Sequence, residues 1–189
     1  MTVWLVDGDV TIDGTLVLDR STVEGKTGAA IQVAGRPGRV PTATIEVNNG
    51  SQLIGGNGNL LEVTGGATGN MSVSNSHLNG NVLVEAGSHA NLSLQNNASL
   101  TGALLNVDSL SIGDHSYWNL TGNSLVGALD LAGGTVKFGA ADAFYQLNLD
   151  TLSGNGTFVM GADFAAGLND FLNIAGDATG QHSLLVASS

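Results

Sequence analysis

The chain has 189 residues, of which 42% are hydrophobic, only 11% are charged and 28 are glycine, with no cysteine. That suffices for one domain with a real core or for part of a longer array, and it excludes disulfides and thiolate metal sites. The net charge of −11 repels phosphate backbones and anionic lipid, so nucleic acid is excluded as a partner and docking on such membranes is disfavoured.

The first residues, MTVWLVDGDV, have neither the basic start nor the apolar stretch of a signal peptide. Met1 followed directly by strand-like sequence reads as a start codon placed on a fragment. Asp7, Asp9 and Asp13 come close together, as carboxylates that bind calcium or cleave polysaccharide do. Alternation puts Asp7 and Asp9 on one face as solvated residues, so no catalytic or metal site is assigned. No apolar run anywhere is long enough for a membrane helix, and no membrane insertion of this segment is expected.

The next stretches repeat. TIEVNNGSQLIG (44–55), NMSVSNSHLNG (70–80), NLSLQNNASLTG (91–102) and YWNLTGNSLVG (117–127) share an apolar–polar–apolar triplet, small polar residues, a leucine, and a glycine two residues later. The leucines, Leu53, Leu78, Leu100 and Leu125, stand 25, 22 and 25 residues apart. A fainter copy at 15–25 puts Val23 in the same frame, and GRPGRVP (35–41) lengthens the next gap as an inserted loop. Second triplets lie between, such as Leu61-Glu62-Val63 and Leu105-Asn106-Val107, and one repeat shows a third, Leu110-Ser111-Ile112.

Such a repeat is too short for two helices, and helical spacing is absent. It suits a coil that winds once per repeat, with inward side chains stacked at about 4.8 Å. The expected ladder runs through Leu53, Leu78, Leu100 and Leu125, with Trp118 replacing Ile45, Met71 and Leu92 in another. Asn75, Asn97 and Asn123 are expected to stack at equivalent corners, since Asn tolerates the left-handed conformation. A leucine-rich repeat would show a different consensus, and an antiparallel sandwich would not keep this period.

Within the repeats, GGNGNLLEV (55–63) has the glycines of a calcium β-roll, but Leu60 stands where the ligand aspartate belongs, so a turn is expected. His89 and His115 occupy similar places in GSHANLSL and GDHSYWNL and would stack on neighbouring coils beside Asp114. The plain reading is surface turn histidines, and no metal is assigned. Nucleophile elbow, HExxH zinc motif and P-loop are all missing. No cofactor is expected.

After Gly133 the alternating pieces lengthen: Leu147–Leu152, Thr157–Met160, Phe171–Ile174 and Ser183–Val186. They read as hairpin-like pieces capping the open end of the stack. These residues also carry a resemblance. Gly133-Gly134-Thr135-Val136, then Leu152, Gly154, Gly156-Thr157-Phe158 and Met160, then Asp170, Leu172, Ile174, Gly176, Ala178, Gly180, His182, Leu184 and Val186, resemble the C-terminal part of pertactin-like autotransporter passenger domains.

The resemblance implies a right-handed parallel β-helix, exported by a Gram-negative bacterium through its own outer-membrane barrel and found at the cell surface or secreted. It further implies an autochaperone or junction role for the ending. Two domains are expected: coils over 1–136, and a capping and folding segment over 137–189 that includes Phe158, Asp170, Leu172, Ile174, Gly176, Gly180, His182, Leu184 and Val186. The expected function is a non-enzymatic C-terminal stem, acting as a spacer and folding nucleus for an adhesin or virulence factor. The expected partners are its barrel and host surface or matrix molecules, with the segment itself monomeric. One alternative is a module that binds host protein or glycan through its loops, with Arg36 and Arg39 as contacts. Another is a polysaccharide-active β-helix enzyme.

Overall fold

The computed structural model describes residues 3–5, 14–140 and 143–188. The Asp7, Asp9 and Asp13 cluster lies outside the described residues. Everything regular among the described residues is β-strand. The strands are short because glycine, asparagine and serine interrupt the apolar alternation every few residues, and each interruption becomes a corner.

The strands wind into a parallel β-helix with three faces. The first face stacks Gly14–Asp19, Thr42–Asn48, Thr68–Ser74 and His89–Gln95 in parallel register. It continues through the second half of Leu104–Gly113 and the middles of the longer strands Ser124–Phe138 and Gln146–Asp163. The third face begins at Val3–Leu5 and Ile31–Ala34, runs through Asn59–Thr64 and Asn81–Val84 and the starts of the long strands, and ends at Phe171–Ile174. The second face is split. Thr22–Gly25 pairs with Gln52–Gly55 as a separate two-stranded sheet. A continuous stack then runs from His77–Asn79 through Ser99–Thr101, Tyr117–Leu120 and the ends of the two longest strands to Gln181–Ser188.

The core is the set of inward ladders. On the first face Ile45, Met71, Leu92, Leu110, Leu129 and Leu152 stack in register and are all buried. On the second face the ladder is Leu78, Leu100, Trp118, Val136, Phe158 and Leu184. The expected register therefore holds from Leu78 to Leu100 and fails at Leu125. Leu125 lies on the third face beside Leu105 and is 41% exposed. Trp118 takes its place, stacked on Leu100 and fully buried, with its indole N–H donating to the Gly102 carbonyl at 2.9 Å.

The slip has a local cause. Leu104–Gly113 carries the chain through the third and first faces as one strand with no glycine corner. Hydrogen bonds between neighbouring coils therefore bridge only 18 residues at Ala98–Ser116. They bridge 30 at Ser21–Ser51 and 26 at Asn155–Gln181. The third triplet, Leu110-Ser111-Ile112, already fills the first face, so YWNL arrives at the second.

The same slip moves the corner residues. Arg20, Asn49, Asn75, Asn96, Asn97 and His115 all have positive φ, between 47° and 61°, at the corner between first and second faces. Asn75 and Asn97 take the expected left-handed conformation, but it is Asn96 that stands level with Asn75, accepting from its N–H at 3.1 Å. Asn123 does not take that conformation: it sits at another corner, where its Oδ1 accepts from the Gln146 N–H at 2.9 Å.

The ending also differs from the expected hairpins. Phe171–Ile174 and Gln181–Ser188 pair in parallel with Gln146–Asp163, as ordinary coil strands do. Hairpin geometry in this region is confined to the antiparallel contact of Ala162 and Asp163 with Asn169 and Leu168. Nor do the described residues close the stack there. Phe171, Leu184 and Val186 remain 53%, 59% and 55% exposed.

Candidate functional site

Two regions contain the residues singled out in the sequence: the C-terminal coils and the Arg36 loop. In the C-terminal coils the inward residues extend the ladders. Leu172 and Ile174 lie on Leu147 and Leu149, and Leu184 and Val186 lie on Phe158 and Met160. Phe158 is buried and meets the His182 ring edge-on, with centroids 6.0 Å apart. His182 Nε2 lies 3.0 Å from the Thr179 carbonyl.

Asp170 is the unusual member. It is only 4% exposed, and its two carboxylate oxygens accept from the Tyr145 and Gly161 N–H groups, each at 2.7 Å. Tyr145 precedes the 18-residue strand Gln146–Asp163, and Gly161 lies near its end. One carboxylate thus ties together the two ends of a strand that has travelled round all three faces. Its own N–H bonds back to the Gly161 carbonyl at 3.0 Å. A buried carboxylate with charge-assisted bonds is strong glue when complete and costly when broken.

Gly176 and Gly180 explain the spaced glycines of the ending. They cross the preceding coil at close range: a Cβ on Gly176 would lie 2.8 Å from the Asp150 carbonyl oxygen. Gly180 has φ of 99°, and a Cβ there would strike the Gly154 carbonyl. Neither place admits a side chain without moving the last coil.

The Arg36 loop is a tight hairpin. Arg36 and Arg39 exchange backbone hydrogen bonds at 2.9 and 2.8 Å around Pro37 and Gly38, whose φ of 79° suits a type II turn. Arg36 is exposed and Arg39 half-buried. The loop projects between third and first faces.

The remaining candidates separate. His89 opens a first-face strand and faces Asp108 at 3.0 Å, whereas His115 sits at a corner beside Asp114 at 2.9 Å, so the two histidines do not stack. The 55–63 stretch opens with a turn, closed by the Gly58 N–H on the Gly55 carbonyl at 3.0 Å, and continues as the third-face strand Asn59–Thr64. Among the described residues no group of three or more His, Asp or Glu could hold a metal ion. No described helix is long and apolar enough to cross a membrane.

Sequence reasoning missed a set of buried serines. Ser51, Ser76, Ser116 and Ser124 are nearly unexposed. Their hydroxyls accept from the Ser21, Gly50, Ala98 and Leu104 N–H groups of the coil below. They satisfy backbone that the corners leave without a strand partner. For Ser51, Ser76 and Ser124 the readable signal is a serine directly after an asparagine or glycine corner; Ser116 follows the left-handed His115 instead.

A three-faced parallel stack ending in this spaced glycine pattern is an autotransporter passenger segment. The chain is pertactin-like in particular: residues 126–189 match the family model described as Pertactin. It is also 31% identical over 94% of its length to the BrkA autotransporter of Bordetella pertussis. It is 37% identical over 71% of its length to the autotransporter adhesin/invasin TibA of Escherichia coli. An immunoglobulin A1 protease autotransporter of Haemophilus influenzae is 28% identical over 89% of the chain. The chain spans 19%, 14% and 10% of these three relatives. Passengers of this class are displayed on, or secreted from, Gram-negative cells, and the chain takes that location with the class.

Proposed function

We propose that this segment is the non-enzymatic stem of an adhesin or virulence passenger and the nucleus from which its β-helix folds, linked to an outer-membrane barrel in the parent protein. The observation that carries this reading is the pair of strands Ser124–Phe138 and Gln146–Asp163, of 15 and 18 residues. They lie in parallel register over all three faces, and Asp170 pins the second of them at both ends. Elsewhere a coil needs several short strands and corners, each ordered at an entropic cost. Here one pairing event orders a whole coil, and further coils add by neighbour stacking. That relatives include both an adhesin/invasin and a protease supports a shared scaffold, with the particular activity located elsewhere in each.

The test is refolding from denaturant of the whole chain, of residues 1–138, and of residues 1–138 with 139–189 supplied separately. Slower refolding and more aggregation of 1–138, with recovery in trans, are expected. Equal rates and yields for the first two would leave only a passive spacer.

The Arg36 hairpin supports a second reading as a contact loop for host molecules, because exposed loops on rigid scaffolds commonly carry recognition. Capture of serum or matrix components by the wild type but not by Arg36→Ala/Arg39→Ala is the expected sign of it; unchanged capture removes the loop.

A further inference from the structure

The outward side of the first face carries a central row of small and acidic residues. In register, Val17 is followed by Glu46, Ser72, Ser93, Ser111, Asp130 and Ser153. All members after Val17 point away from the core and are nevertheless half-buried. In the coils of Glu46, Ser72 and Ser93, longer side chains flank the row, Asn70 and Asn91 on one side and Asn48 and Gln95 on the other. The row is thus the floor of a trough along the stack axis. Between Thr44 and Gln95 the trough is a groove of about 480 Å³, a size at which small-molecule sites occur.

The polar groups of the trough are unevenly engaged. On one border Ser109 donates to Asn91 Oδ1 at 2.7 Å, and Asn91 donates to Asn70 Oδ1 at 2.9 Å, so the two amides are held in one orientation. On the floor Asp130 accepts from Ser153 at 2.8 Å, and Ser72 accepts from Gln95 at 3.4 Å. The Glu46 carboxylate and the Ser93 and Ser111 hydroxyls have no partner among the described residues. A half-buried carboxylate in that position calls for a charged donor, since a charge-assisted bond is the strong kind. We propose that the trough binds a linear glycan with free amino groups, laid along the stack axis with one amine on Glu46.

Charge selects the ligand. The net charge of −11 repels sulfated, uronic or sialylated chains and attracts an amine-bearing one. Serine hydroxyls and side-chain amides both donate and accept, as sugar hydroxyls do. The rows recur at about 4.8 Å, so the same groups meet each successive unit of a repeating polymer. Val17, 57% exposed beside Glu46, offers an aliphatic contact at one end. No aromatic ring lines the groove, so a single sugar is held by hydrogen bonds alone and affinity grows with chain length. The site is separate from the Arg36 hairpin and independent of any role in folding.

The experiment is an NMR titration of the isotope-labelled chain, at slightly acid pH, with chitosan hexamer, its fully N-acetylated form and cellohexaose. The chitosan hexamer should shift amides of Thr42–Asn48, Thr68–Ser74 and His89–Gln95, with a dissociation constant between about 0.1 mM and about 1 mM. The two uncharged hexamers should bind at least tenfold more weakly. Glu46→Gln and Ser93→Ile, each checked for unchanged circular dichroism, should each weaken binding at least fivefold. Asp150→Asn removes the same charge as Glu46→Gln, at a corner several coils away, and should bind as wild type does. No binding up to about 10 mM, equal binding of cellohexaose, shifts confined to other faces, or equal losses in Glu46→Gln and Asp150→Asn would overturn the proposal.

Discussion

Asp170 shows what a single residue does in this stack. Its carboxylate is buried because two backbone N–H groups at the ends of one strand need an acceptor there. Asp170→Ala removes both bonds and leaves the donors unpaired, so a loss of about 2–4 kcal/mol in urea melts is expected. A loss under half a kcal/mol would mean that water replaces the carboxylate. Leu100 and Leu125 provide the sharper contrast. Leu100 is 1% exposed between Leu78 and Trp118, so Leu100→Ala should cost about 2–5 kcal/mol. Leu125→Ala, on the outer surface, should fall within about 0.5 kcal/mol. Comparable losses at both positions would restore the register read from the sequence.

At the scale of elements, period-2 triplets and glycine corners make the parallel coil legible in the sequence itself. Positions 78 and 100 align correctly because the coils between them keep a full set of corners. Position 125 does not, because Leu104–Gly113 turns its corner on the single left-handed residue Asn106 at a register shift, and a repeat counted in residues cannot register a corner that consumes only one. The extra triplet Leu110-Ser111-Ile112 is the visible sign of it. The ending misleads for a related reason. Alternation of apolar and polar residues is the same for a hairpin and for a parallel coil strand; what separates them is the partner, and the partners of Phe171–Ile174 and Gln181–Ser188 lie a coil earlier. Among the candidate site residues, the inward apolar set and the close-approach glycines are legible from pattern. The role of Asp170 is not, because its partners are backbone groups 25 and 9 residues away.

Over the whole molecule, the coils are unequal. Toward the N-terminus the second face is broken into a separate two-stranded piece, and corners are numerous. Toward the C-terminus the strands are longest, Trp118 and Phe158 fill the core, and a carboxylate fastens a coil to itself. On the proposed reading, a stack graded in this way grows from its C-terminal end, whereas uniform repeats nucleate anywhere. The direct test is pulse-labelled hydrogen exchange during refolding of the whole chain, resolved by residue. Protection of amides in Gln146–Asp163 and Gln181–Ser188 should precede that in Gly14–Asp19 and Thr42–Asn48. Simultaneous protection of all coils, or protection that begins at the N-terminal strands, would contradict a C-terminal nucleus.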